Sequence, residues 1–209
     1  MLKNVNSFLT EYGEIVYNIN MRMILVLDNI RSTYNVGAIL RTAEGFGVER
    51  VILSGYTPRV HDIDLLPHLR AKLDKEIHKT ALGAEDMLDV YSCGDIITEL
   101  KNLKEQGWQI VGLENNIDEP NLVKLNSSET KKKLTDKVVL VLGEEVKGID
   151  YSLYDIIDLF VEIPMKGQKE SFNVSVAAGI AMYGISLAFL SEKKGQQRNQ
   201  YEKKNRSEF

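Results

Sequence analysis

Residues 138–149 read VVLVLGEEVKGI, from Val138 to Ile149. Five apolar residues, three of them β-branched, run without a polar break into Gly143. Strands of that kind are buried on both faces, as in a parallel sheet covered by helices. Outward from this stretch the pattern recurs at residues 23–27 (MILVL), 50–53 (RVIL), 109–113 (QIVGL) and 159–163. Residues 36–46, 95–106 (ending at Gly107) and 174–190 read as helices between or after them. The alternation predicts an α/β fold with a mainly parallel sheet flanked by helices.

The 209 residues suffice for one domain with some extra chain at its ends. That domain is expected over residues 21–190. Residues 1–20, of mixed polarity, read as a short docking helix or a loose extension. Residues 191–209 are polar and partly basic and read as a helix extension fraying into a tail. Residues 57–86 carry Pro58, Pro67 and many charges and read as a long excursion off the sheet. With 44% hydrophobic and 27% charged residues the chain is of the globular rather than the disordered class.

Several functions are disfavoured at once. The single cysteine, Cys93, excludes an intrachain disulfide and a cysteine-based zinc site. His61, His68 and His78 are spaced by seven and ten residues without a HExxH pattern, so no metal is expected and they read as surface or loop histidines. Glu11 and Glu14 sit where a signal peptide would be apolar, which points to a cytoplasmic protein and makes the sequons at Asn126, Asn173 and Asn205 chance matches. The net charge of −4 is unlike a generic basic nucleic-acid binder, so any RNA contact must come from local positive patches.

Between residues 174 and 190 the only polar side chains are Ser175, Tyr183 and Ser186. A helix apolar all round spans a membrane or is buried on every side. Its Ala and Gly content, and the lack of a second such segment, favour burial between the sheet and a partner subunit. The expectation is a homodimer with no membrane contact.

No P-loop, no strand-linked GxGxxG and no GxSxG elbow is present, and three other segments carry the chemistry. The first is residues 27–41, LDNIRSTYNVGAILR. Asn35 reads as a helix N-cap, and the small Gly37 and Ala38 lie one turn before Arg41, leaving room for a substrate beside the cation or simply for a salt bridge. The second is residues 141–149, where Gly143 and Gly148 flank Glu144 and Glu145; a ligand-approach loop and a plain turn with solvated glutamates are both open. The third is residues 163–176, IPMKGQKESFNVSV, with Ser171 and Asn173 at the mouth of a helix. These cap the helix, and the same geometry aims backbone N–H groups into a cleft at the sheet's C-terminal edge.

Taken together, the three segments resemble the motifs of the SpoU (TrmH-like) family of RNA ribose methyltransferases, in the SPOUT superfamily. Asn35, Gly37 and Arg41 resemble its Asn-x-Gly-x-x-x-Arg pattern. Gly143, Glu145 and Gly148 resemble its Gly-x-Glu-x-x-Gly pattern. Ile163-Pro164-Met165 with Ser171–Ala177 resembles Ile-Pro-Met followed by Ser-Leu-Asn-Val-Ser-Val-Ala. Order and spacing match over residues 23–190. Phe172 stands where the family usually has Leu, and Glu144 where Asn, Ser or Ala is common.

The resemblance implies a C-terminal deep trefoil knot, an exception to the usual unknotted chain. It implies S-adenosylmethionine held around Leu113, Glu114, Leu142, Gly143, Ile163, Met165, Ser171 and Phe172, and a homodimeric enzyme that methylates the ribose 2′-hydroxyl of transfer or ribosomal RNA. Some relatives carry an N-terminal RNA-binding domain. The twenty residues before the first strand lead to the expectation that it is absent here, with a slight lean to transfer RNA. Methyl transfer from a sulfonium to oxygen needs alignment and a dry site rather than a metal. By resemblance Arg41 activates the hydroxyl. Because a guanidinium stays protonated, stabilising the developing alkoxide or an adjacent phosphate suits it better than acting as a base. Asn35, Glu145, Ser171 and Asn173 would orient Arg41 and the ribose. The alternatives are a non-catalytic RNA-binding or assembly protein of the same fold, and an unrelated α/β nucleotide-binding enzyme, to which the acidic balance is congenial. Loss of S-adenosylmethionine binding would mark the latter.

Overall fold

The computed structural model describes residues 17–19, 21–125 and 127–192. The chain forms two units. The smaller contains strands β1 (Tyr17–Ile19) and β9 (Leu190–Glu192), which pair antiparallel as a ribbon. A strand therefore stands at residues 190–192 where a continuing helix was expected. The rest of the two terminal segments, and the sequons at 126 and 205, lie outside the described residues.

The larger unit, residues 21–188, runs in chain order β2 (Arg22–Asp28), α1 (Thr33–Gly45), β3 (Arg50–Ser54), α2 (Pro67–Ala81), β4 (Val90–Ser92), α3 (Ile96–Glu105), β5 (Gln109–Leu113), β6 (Leu122–Lys124), α4 (Ser128–Lys133), β7 (Lys137–Leu142), β8 (Leu159–Glu162) and α5 (Val174–Ala188). Short 3-10 turns cover Ala84–Asp86 and Tyr151–Ile156. The seven strands β2 to β8 form one sheet in the order β4-β3-β2-β7-β5-β8-β6, every pair parallel. The α/β expectation is met. All five expected strands are present, and the three-residue edge strands β4 and β6 are added.

Burial explains why the apolar runs read so clearly. Leu25, Val26, Leu27, Val139, Leu140 and Val141 are all fully covered, on both faces of the sheet. One face packs Ile24, Val26, Ile110, Val139 and Val141 against Leu100 and Leu103 of α3 and Leu153 and Ile156 of the second 3-10 turn. Each such side chain contributes roughly 1.5–3 kcal/mol on leaving water. Helix α1 packs with both α2 and α5.

Three local expectations are corrected. Ser32, not Asn35, caps α1; its side chain accepts the Asn35 N–H at 3.3 Å, so the helix starts a turn earlier. The excursion at residues 57–86 contains a four-turn helix, α2, with Pro67 in its first turn, where proline fits a helix. His68 and His78 are therefore on a helix rather than in a loop. Finally, α5 ends at Ala188 rather than at residue 190; Ala178, Ala181, Met182 and Ile185 are buried, while Val176 and Tyr183 are about half exposed. Among the described residues no helix is long and apolar enough to cross a membrane.

Candidate active site at the C-terminal edge of the sheet

The strand order dictates what meets at the sheet's C-terminal edge, where parallel α/β sheets carry their ligand sites. β2 lies against β7 with Leu27 opposite Leu142, so the loop leading to α1 abuts the Gly143–Gly148 turn. β5 lies between β7 and β8, bringing Leu113 beside Val161 and the 163–173 segment alongside. A cleft of about 510 Å³ opens there, in the range of small-molecule sites. Leu113, Leu142, Ile163 and Phe172 supply apolar wall, and Glu114, Gly143 and Ser171 complete the expected set at the cleft. Of the residues expected to hold a cofactor, Met165 alone is not on its lining.

Two glycines shape the turn. A Cβ on Gly143 would overlap the backbone of Gly148 and Ile149, and a Cβ on Gly148, whose φ is +73°, would overlap the Glu114 carboxylate. The turn is closed by paired backbone bonds between Glu144 and Gly148, each 2.9 Å. Glu114 accepts the Ile149 N–H. Burial raises its carboxyl above the ordinary range, against the opposing effect of N–H donors from Ile149 and Asn115.

The polar residues of the three segments join beside this cleft. The Asn35 amide donates to Glu145 Oε1 at 3.1 Å, and Asn173 donates to Asn35 Oδ1 at 3.2 Å. Glu145 also accepts the Arg31 N–H at 3.2 Å. Partial burial alone would push Glu145 up, but hydrogen bonds from its own N–H, the Asn35 amide and the Arg31 and Ser32 N–H groups outweigh it, and its carboxyl is held low. Asn173 caps α5 as expected, accepting the Ser175 N–H at 2.9 Å. Asn35 and Asn173 belong to this network but do not line the cleft, whereas Glu145 does both. Arg41 lies two turns along α1, exposed and outside the cleft lining. Among the described residues it enters no ion pair, whereas Arg22, Arg31 and Arg50 are each paired.

Gly37 has a different role from the one expected. It is buried against α2, where a Cβ would overlap the Ile77 carbonyl and the Thr80 hydroxyl. It serves close helix packing, and the space of its missing Cβ is filled by α2. Glu144 is likewise explained: it is buried and ion-paired to Arg31, tying the second segment to the first.

Among the cleft residues that sequence reasoning missed are Asn115, Asn116, Tyr151 and Tyr154. Asn115 brackets Ile163, donating to its carbonyl and accepting from its N–H, both at 3.1 Å. Asn116 follows in a left-handed conformation with φ 60°. Tyr151 and Tyr154 stack at 4.8 Å, and Tyr154 packs on Phe160 at 4.9 Å. Burial and then the Glu114 charge push the Tyr154 hydroxyl up to about 12. The paired asparagines directly after a buried strand were the available signal. The tyrosines carried none. Among the described residues no group of three or more His, Cys, Asp or Glu could hold a metal ion. His61 instead pairs with Asp74 and Asp86, and His78 with Glu85.

Residues 22–183 match the model of the SpoU rRNA methylase family. The chain belongs to that family. The SpoU domain is 36% identical over 162 residues to a 23S rRNA (guanosine-2′-O-)-methyltransferase RlmB of Nitrosomonas europaea, covering 77% of this chain and 54% of that protein. It is 34% identical to the RlmB of Xylella fastidiosa, covering 77% and 57%. The chain thus spans a little over half the length of these curated relatives. Among solved structures, an AdoMet-bound rRNA methyltransferase from Sinorhizobium meliloti superposes with a TM-score of 0.65 at 21% identity, over 81% of this chain and 57% of that one. The A. aeolicus TrmH/SpoU tRNA modifying enzyme gives 0.59 at 23%, over 88% and 86%. These two likenesses establish the fold.

Proposed function

We propose that the protein is an S-adenosylmethionine-dependent methyltransferase acting on the ribose 2′-hydroxyl of RNA. The observation that carries this reading is that the second and third motif segments line one cleft and the first is tied to both beside it by the Asn173–Asn35–Glu145 hydrogen bonds. The cleft fits the cofactor: its aliphatic and aromatic walls suit an adenine, and Glu114 offers carboxylate acceptors for ribose hydroxyls or the positive charge. Leu113, Glu114, Leu142, Gly143, Ile163, Ser171 and Phe172 would hold it. S-adenosylmethionine, when bound, supplies an electrophilic methyl carbon on sulfur.

The chain's own residues align and stabilise the nucleophile. With the cofactor bound, the ribose 2′-oxygen would take the methyl group, S-adenosylhomocysteine would be the leaving group, and the hydroxyl proton would pass to an RNA phosphate. Arg41, exposed and outside the ion pairs of the described residues, stabilises the developing alkoxide or that phosphate. Asn35, Glu145, Ser171 and Asn173 are positioning residues. The open apolar face of α5 around Val176 and Tyr183 supports a homodimer. The trefoil knot that the family resemblance implies is part of this reading. The curated relatives are named for ribosomal RNA; the lean to transfer RNA finds no support in them, and ribosomal RNA is the first substrate to test.

Incubation with S-adenosylmethionine and unmodified ribosomal or transfer RNA, followed by nucleoside mass spectrometry, tests the reading. A 2′-O-methylnucleoside made by the wild type and not by Arg41→Ala is expected. Absence of any methylated nucleoside together with absence of cofactor binding would overturn it.

A further inference from the structure

We propose that the outer face of α2 is a phosphate-binding track that holds the RNA substrate strand against the active site. This rests on the methyltransferase reading above and extends it to a surface outside the three motifs. His68, Lys72, Lys75 and Lys79 fall at i, i+4, i+7 and i+11 of α2, one narrow stripe of a helix, and all four are exposed. The stripe is roughly 16 Å long at 1.5 Å per residue. Neighbouring Cβ atoms on it are about 5–6 Å apart, so the flexible lysine heads of Lys72, Lys75 and Lys79 can reach successive phosphates of one strand.

The rotation of α2 is fixed from the opposite side. Ile77 and Ala81 are buried, and Gly37 lets the two helices approach closely enough for the Thr80 hydroxyl to donate to the Tyr34 carbonyl at 3.0 Å. The stripe lies diametrically across from Ile77 and so faces away from the protein. Of the acidic residues of α2, Asp74 accepts the His61 N–H at 2.9 Å, and Glu76, which borders the stripe beside Lys72 and Lys79, accepts the Thr33 hydroxyl at 3.3 Å. Among the described residues Lys72, Lys75 and Lys79 enter no ion pair, whereas Lys104, Lys133 and Lys147 do.

The stripe ends at the site. Lys79 Nζ is 3.5 Å from the Tyr34 hydroxyl and 5.8 Å from the centre of its ring. Tyr34 is half exposed and directly precedes Asn35, the centre of the Asn173–Asn35–Glu145 network. A strand following the lysines towards Asn35 would meet an aromatic face on which a base can stack. In a chain of net charge −4, the overall field does not draw RNA in, and such a local stripe has to do so.

The experiment measures the affinity of the full chain for a transcribed 23S ribosomal RNA and for a transfer RNA transcript across a salt series. The wild type is compared with the triple variants Lys72→Ala/Lys75→Ala/Lys79→Ala and Lys72→Arg/Lys75→Arg/Lys79→Arg, with S-adenosylhomocysteine affinity and melting temperature as checks on folding. The alanine variant is expected to bind RNA about tenfold or more weakly near 0.1 M salt, with the slope of log K against log salt reduced by about 2. The arginine variant should restore both, and cofactor affinity should stay constant. RNA affinity and salt slope unchanged in the alanine variant, while the wild type methylates RNA, would overturn the track alone. A wild type that methylates no RNA would overturn the track together with the reading on which it rests.

Discussion

Two tight glycine contacts in this protein come from motifs of the same family, yet they do unlike things. Gly37 lies where α1 meets α2, with a backbone carbonyl and a hydroxyl in the space a Cβ would fill. Gly143 lies where β7 turns into the cleft, packed on the backbone of Gly148 and Ile149. The first contact seats a helix, and the second shapes the wall of a ligand site. A motif glycine is therefore not by itself a mark of ligand approach; what its missing Cβ faces decides the role.

The largest effect should come from Arg41, one turn along α1 from Gly37. Arg41→Lys is expected to lower turnover by roughly 10²–10³-fold, the scale of losing an oxyanion donor. Its affinity for S-adenosylhomocysteine should match the wild type in calorimetry. A variant with near-normal turnover would remove Arg41 from the chemistry.

Next in size is Gly37→Ala. Overlap with the α2 backbone should destabilise the fold by roughly 1–3 kcal/mol, read as a lower denaturant midpoint. Cofactor affinity measured on the folded fraction should remain unchanged. Weakened cofactor binding at constant stability would erase the contrast between the two glycines.

A smaller effect belongs to Glu145, whose folded carboxyl is held low by its hydrogen bonds. The stability it contributes is fully present above the unfolded carboxyl value, about 4.3, and is lost as pH falls through the lower folded value. The melting temperature of the wild type should therefore fall more steeply below about pH 4.3 than that of Glu145→Gln. Parallel pH profiles would contradict the linkage. Smallest of all, Asn173→Ala removes the α5 cap and should cost about 1 kcal/mol by denaturant titration.

What could be read from the chain follows burial. β2, β7 and β5 were legible because both faces of the sheet are covered and every residue had to be apolar. α2 is not, because only Ile77 and Ala81 are buried in a helix otherwise rich in charge; its packing depends on Gly37, 40 residues before Ile77 in the chain. β4 and β6 are three-residue edge strands, half covered at most positions, too short to show a period. At the α1 start, Ser32 and Asn35 are both good capping residues, and the one nearer the strand took the role, leaving Asn35 to bridge Glu145 and Asn173. The cleft residues came from the resemblance. Tyr151 and Tyr154 could not, since they belong to a 3-10 turn brought under the cleft by the core.

Calorimetric titration of S-adenosylhomocysteine into the wild type and into Gly143→Ala tests the central claim most directly. Saturable binding to the wild type, lost in Gly143→Ala, is predicted, because the added methyl group can be accommodated only by moving the Gly148–Ile149 backbone that forms the cleft. No binding to the wild type, or equal binding by a folded Gly143→Ala, would contradict it.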